Sequence, residues 1–246
     1  EHTIMYAYSK YDGNDWNDHC PADIYAIYSY DEGETWQDER LIVKHDSTNV
    51  MCASLLRFDN GDIGVFYLKK ENETCSCVVY MVRSSDNGKT WSEPVEAPAA
   101  LNGERHKADY TSDGRLFITF RSIERGRKAF RYSEAGNKKG WISEGLIAWV
   151  GTYEDLKNGT EGLYRIKLAH IYTDEQTEPE YYAEADTGYC GNVVLPDDTI
   201  VTCSYGKYSP DEKTTDSDEL LKTYICSKRI NLKDTDVLVE RMKNKQ

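Results

Sequence analysis

At 246 residues, with 39% hydrophobic and 30% charged side chains, the sequence has enough apolar content for a substantial core and too much for a disordered chain. A formal net charge of −13 argues against nucleic acid and against an anionic membrane surface as partners, since either favours a basic face. A small neutral or acidic ligand stays open, the acidic one only in a locally basic pocket.

Taken in chain order, residues 2–9 read as a strand. A second strand at residues 23–29 runs into a turn built from Ser29, Asp31, Gly33, Thr35 and Trp36. Residues 54–67 are two alternating strands around Asn60-Gly61, a tight hairpin. A strand at 78–84 then leads into a second copy of the S-x-D-x-G-x-T-W pattern: Ser84, Asp86, Gly88, Thr90 and Trp91. The residue types suit a turn, because the Asp carboxylate accepts backbone N–H bonds, Gly takes a positive φ and Trp covers the adjoining hydrophobic layer. Both copies are therefore read as structural. The hairpin recurs at 108–120 around Asp113-Gly114 and at 192–205 around Asp197-Asp198.

In phase, these repeats spell strand, tight turn, strand, variable loop, strand, Asp-containing turn, strand, which is one β-propeller blade. The sequence predicts an all-β propeller of four-stranded antiparallel blades, about four of them visible: a partial one at 1–45, then 46–98, 99–172 and 173–246. In the third the Asp turn has decayed into residues 151–159. In the fourth it is gone, leaving 222–230 as the matching strand. Residues 2–9 align with second strands, so a first strand is expected before residue 1, and further N-terminal blades are expected in a parent protein. The whole of 1–246 is read as one domain.

The seven cysteines are odd in number and mostly lie in strand-like runs, so they read as reduced core thiols of a cytoplasmic protein. No signal-peptide pattern opens the sequence, although a leader in a missing N-terminal part would make the protein secreted or periplasmic. Cys75 and Cys77 are too close for an ordinary disulfide and have no paired ligands nearby, so no metal and no cofactor are expected.

The two S-x-D-x-G-x-T-W copies resemble the Asp boxes, or bacterial neuraminidase repeats, of the sialidase-like superfamily. The resemblance implies a six-bladed propeller and an exo-acting retaining glycosidase in which a tyrosine nucleophile is activated by a glutamate, an aspartate serves as acid/base and three arginines hold the substrate carboxylate. A tyrosine suits that centre because a carboxylate nucleophile would be repelled by the charge on the substrate. On this basis Tyr189, in Asp186-Thr187-Gly188-Tyr189, is similar in placement to the family's nucleophile. Glu104, just before the 108–120 hairpin, is similar to its glutamate, and Arg121 to the basic residue near that carboxylate. The Arg105-His106 pair departs from the family pattern, and the blade that carries the third arginine is absent.

Blade geometry alone puts the hairpin and Asp turns on one face and the remaining loops on the other, where a pocket is expected. Those loops bring Asp15, Trp16, Asp18 and His19, then Glu104, Arg105 and His106, then Arg121, Arg125, Arg127 and Arg131. Arginines suit planar carboxylates, which favours an acidic sugar. The candidate catalytic residues are Tyr189, Glu104 and His106; the candidate substrate-binding residues are Arg105, Arg121, Asp186, Asp18 and His19. The function expected is a sialidase-type hydrolase acting on a terminal acidic sugar, with a lyase using His106 and a tyrosine as a variant. The alternatives are a non-catalytic carbohydrate-binding propeller and a protein-interaction propeller. The expected partner is a small saccharide or glycan terminus.

Overall fold

The computed structural model describes residues 3–13, 20–46, 48–70, 77–122, 145–172, 187–214 and 221–245. Four antiparallel sheets of three or four strands follow one another along the chain. They fall into two compact units, Glu1–Ala97 and Pro98–Gln246.

The first unit holds β1 (Ile4–Tyr11), β2 (Ala22–Ser29) and β3 (Gln37–Val43), followed by β4 (Asn49–Arg57), β5 (Ile63–Lys70), β6 (Cys77–Ser84) and β7 (Val95–Glu96). Strand order is β1-β2-β3 and β4-β5-β6-β7. β1 precedes β2 and its turn as β5 precedes β6 and its turn. Ile24 and Val43 of the first sheet bury themselves against Val50, Val65, Tyr67 and Val82 of the second. Each such aliphatic side chain contributes roughly 1.5–3 kcal/mol when fully buried.

The two S-x-D-x-G-x-T-W turns have one geometry. Asp31 accepts from the Thr35 backbone N–H at 2.8 Å and the Thr35 hydroxyl at 2.5 Å, while Ser29 Oγ accepts from the Gly33 N–H at 2.7 Å. Asp86 repeats this with Thr90 at 2.9 and 2.7 Å, and Ser84 with Gly88 at 2.8 Å. The Thr90 bonds hold the Asp86 carboxyl well below the usual carboxylate range. Trp91 packs against the core between the two sheets, whereas Trp36 stays 42% exposed, edge-on to Tyr6.

The second unit opens with a 3-10 turn at Ala99–Leu101. There follow β8 (Gly103–Tyr110), β9 (Leu116–Ser122), β10 (Gly145–Gly151), α1 (Tyr153–Asn158) and β11 (Tyr164–Ala169). The last sheet is β12 (Gly188–Val194), β13 (Ile200–Gly206) and β14 (Tyr224–Ile230), and α2 (Leu232–Lys243) ends the chain. The predicted hairpins close by the same pair of bonds: Phe58 N–H to Asp62 O and Gly61 N–H to Phe58 O, Thr111 to Arg115 and Gly114 to Thr111, Leu195 to Thr199 and Asp198 to Leu195, all within 2.8–3.0 Å. Asp198 takes the left-handed position, φ 62°, that Gly61 and Gly114 fill in the others.

Two segments differ from the sequence reading. Residues 151–159 are not a loosened Asp turn but the short helix α1. Its N-cap, Thr152, and Asp155 form a reciprocal capping box, and Gly159 closes it in the left-handed region at φ 67°. In the last sheet α2 follows β14 where the other sheets have an outer strand. Asn231 caps it by accepting from the Lys233 N–H at 3.0 Å, and Arg241 and Lys243 complement the dipole in its last turn. Its Leu232 joins Phe117, Leu146, Ala148, Val150, Leu168 and Ile200 in the core between the sheets of this unit.

Candidate functional site

A strand alternates its side chains between two faces, and an extra residue resets that alternation. The leading strands β4, β8 and β12 all carry such a bulge at the same place. Pairing steps from Met51↔Leu68 to Ser54↔Phe66, from Glu104↔Arg121 to Lys107↔Thr119, and from Gly188↔Tyr205 to Gly191↔Cys203. The first unmatched residue in each is left-handed although none is glycine: Cys52 at φ 57°, Arg105 at φ 61° and Tyr189 at φ 50°. Such a backbone costs on the order of 1–3 kcal/mol and concentrates at functional sites. Two of these three residues were singled out from the sequence.

Within the second unit the bulges of β8 and β12 turn Arg105 and Tyr189 toward each other. The Arg105 guanidinium stands 4.2 Å from the centroid of the Tyr189 ring. It also donates to the Tyr205 hydroxyl at 2.9 Å and the Thr187 carbonyl at 3.2 Å. Tyr189 stacks on Tyr205 at 6.3 Å and is 73% exposed. Gly188 has to be glycine: its φ is +128°, and a Cβ there would lie 2.7 Å from Arg105 Cδ. Beneath it, Ser204 Oγ accepts from the Gly188 N–H at 3.1 Å and donates to its carbonyl at 2.7 Å, and the buried Thr187 hydroxyl donates to Tyr205 O at 2.6 Å. Thr187, Gly188 and Tyr205 thus hold the pair. The glycines flanking Tyr189 were the sequence signal for a bulge there.

Glu104 goes elsewhere. It faces Arg121 directly across the β8–β9 ladder, and the two form a buried ion pair, both under 10% exposed. Gly103 permits the close approach, since a Cβ would lie 2.2 Å from Arg121 O. Glu104 therefore neutralises Arg121, and among the described residues no hydrogen bond reaches the Tyr189 hydroxyl.

His106, second in the bulge, turns toward the core. Its ring stacks on Phe120 at 5.0 Å and its Nε2 is 2.8 Å from Leu101 O. Burial pushes its pKa down to about 4, so the ring is neutral at pH 7. The structure thus brings Arg105 to Tyr189 and Glu104 to Arg121, and sets His106 against packing side chains. Asp18, His19 and Asp186, with Asp15, Trp16, Arg125, Arg127 and Arg131, lie outside the described residues.

No protein-family model and no curated protein matches the sequence. Solved structures do match. The α-L-arabinofuranosidase of family GH93 from Fusarium graminearum, in complex with arabinobiose, is 13% identical with a TM-score of 0.53, over 93% of this chain and 59% of that one. The same enzyme with an iminosugar inhibitor gives 14% and 0.53 over the same shares. A mutant NanB sialidase from Streptococcus pneumoniae gives 15% and 0.51, over 87% of this chain and 28% of that one. The chain therefore spans little more than half of the first enzyme and under a third of the second. Together with four sheets of antiparallel sequential strands, this likeness shows the fold: an all-β chain of β-propeller blades.

Proposed function

We propose that this chain is part of an Asp-box propeller of the sialidase-like superfamily that removes a terminal acidic sugar from a glycan. The observation that carries the reading is the meeting of Arg105 and Tyr189, each presented on a left-handed bulge of its leading strand. Tyr189 is the nucleophile: exposed, stacked on Tyr205 and able to approach an anomeric carbon beside the substrate's own carboxylate without the repulsion a carboxylate nucleophile would meet. Arg105 supplies the positive charge for that carboxylate, on a protein that is otherwise acidic. The Glu104–Arg121 pair fixes the strand entry beneath them, and His106 stacks on Phe120 with its Nε2 on the Leu101 carbonyl.

A second reading has its own observation. Glu104 is bound to Arg121 rather than to Tyr189, which suits a propeller that holds an acidic saccharide without cleaving it. The test is turnover by the full-length protein on sialosides and on uronic-acid glycosides. Release of free sugar, abolished by Tyr189→Phe, supports the hydrolase. Glycan binding without turnover, unchanged by Tyr189→Phe and Glu104→Gln, rejects it for the binding protein.

A further inference from the structure

A second cationic site lies wholly within the first unit. Arg40, Arg57 and Lys89 ring a cavity of about 440 Å³ that is also lined by Tyr28, Tyr30 and Asn87 and, among the described residues, by no carboxylate. On a chain of net charge −13, three cations around one cavity need a reason. Among the described residues, Arg40 alone of the three has an ion-pair partner, Asp38 at 3.6 Å. Lys89 has no ion-pair partner among the described residues. Arg57 donates through Nη1 to Gly61 O at 2.9 Å and Asn87 Oδ1 at 3.3 Å. Those two bonds fix its head, and among the described residues no acceptor takes its Nη2 and Nε hydrogens.

The floor is rigid. Tyr28 is buried and donates to Gly88 O at 2.9 Å, locking the turn that carries Asn87 and Lys89 onto β2, and Arg40 lies over its ring at 5.1 Å. Tyr30, 48% exposed and held by Asp38 at 3.0 Å, offers a flat apolar surface at the rim. The volume falls within the roughly 300–1,000 Å³ of small-molecule pockets. Fixed guanidinium donors suit a carboxylate bidentately, an ammonium adds charge, and an aromatic face suits the C–H side of a sugar ring.

We propose that this cavity binds the carboxylate of an acidic monosaccharide such as a uronic acid, as a non-catalytic site. The inference goes beyond the function proposed above and does not rest on it. The experiment is an amide-resolved NMR titration of the full chain with glucuronate, glucose and inorganic phosphate. Glucuronate is expected to give saturable shifts at the amides of Tyr30, Asn87 and Lys89, with glucose giving none. The exposed double substitution Arg57→Gln/Lys89→Gln is expected to weaken glucuronate binding at least about tenfold while the melting temperature stays unchanged. No saturable shift at these amides, or unaltered affinity in the double variant, overturns the proposal. Phosphate binding as tightly as glucuronate overturns the saccharide and leaves a plain anion site.

Discussion

Arg105 holds its guanidinium over the ring of Tyr189 at 4.2 Å while donating to the Tyr205 hydroxyl at 2.9 Å, so one side chain ties the bulge of β8 to the bulge of β12. Removing it should cost ligand binding before it costs folding. Arg105→Ala is expected to weaken affinity for an acidic glycan by about ten- to a hundredfold, the value of one or two charge-assisted hydrogen bonds. Arg105→Lys, which keeps the charge but loses the planar fork, should recover only part of it. Calorimetric titration of both variants reads the difference.

The buried Glu104–Arg121 pair makes the opposite prediction. Glu104→Ala strands a buried guanidinium and is expected to cost roughly 3–5 kcal/mol of stability. Replacing both partners by methionine removes both charges at once and should cost less than either single change. Urea denaturation of Glu104→Met, Arg121→Met and the double variant checks this; a loss in the double variant equal to the sum of the two single losses would mean the pair is not coupled.

His106 should report its burial through pH. Its folded pKa, near 4, is below the ordinary 6.5, so the folded state binds fewer protons than the unfolded chain between those values. Stability therefore falls as pH drops from about 6.5 toward 4, and above 6.5 this group has no effect. The His106 ring signal should titrate with a midpoint near pH 4, and His106→Phe should flatten stability over that window. A midpoint near 6.5 would contradict the half-buried placement stacked on Phe120.

Helix α2 should be tied to the β8–β11 sheet, whose Arg115 and Tyr164 both reach its Asp236. Arg115 donates to both oxygens of Asp236 at 2.9 and 3.1 Å, Tyr164 also donates to Asp236, and Asn231 caps the first turn. Asn231→Ala is expected to cost about 1 kcal/mol. Asp236→Ala should cost more, because it leaves Arg115, with a largely buried side chain, on Asp113 alone. Thermal melts of the two variants give the order.

The blades were legible in the sequence because their devices are local. The Asp31 and Asp86 turns and the three tight hairpins satisfy their own backbone groups within a few residues, so residue type and spacing specify them wherever they occur. The capping residues of α1 and α2 are equally local, but the blade repeat reads residues 151–159 as a decayed turn and assigns no element after 222–230. Tyr189, Glu104, Arg105 and Arg121 are also candidates from the sequence, and the family resemblance already sets Arg121 near the Glu104 carboxylate; the meeting of Arg105 with Tyr189 is not foreseen. Which of them meet depends on the bulges in β8 and β12, and a bulge is fixed by pairing between strands distant in sequence. A one-residue reset sends Arg105 to Tyr189, leaves Glu104 on Arg121 and turns His106 onto Phe120. Residue type and spacing thus specify the blades and a set of candidate side chains, whereas the meeting of Arg105 with Tyr189 needs the folded sheets, because side-chain direction in a strand follows its register.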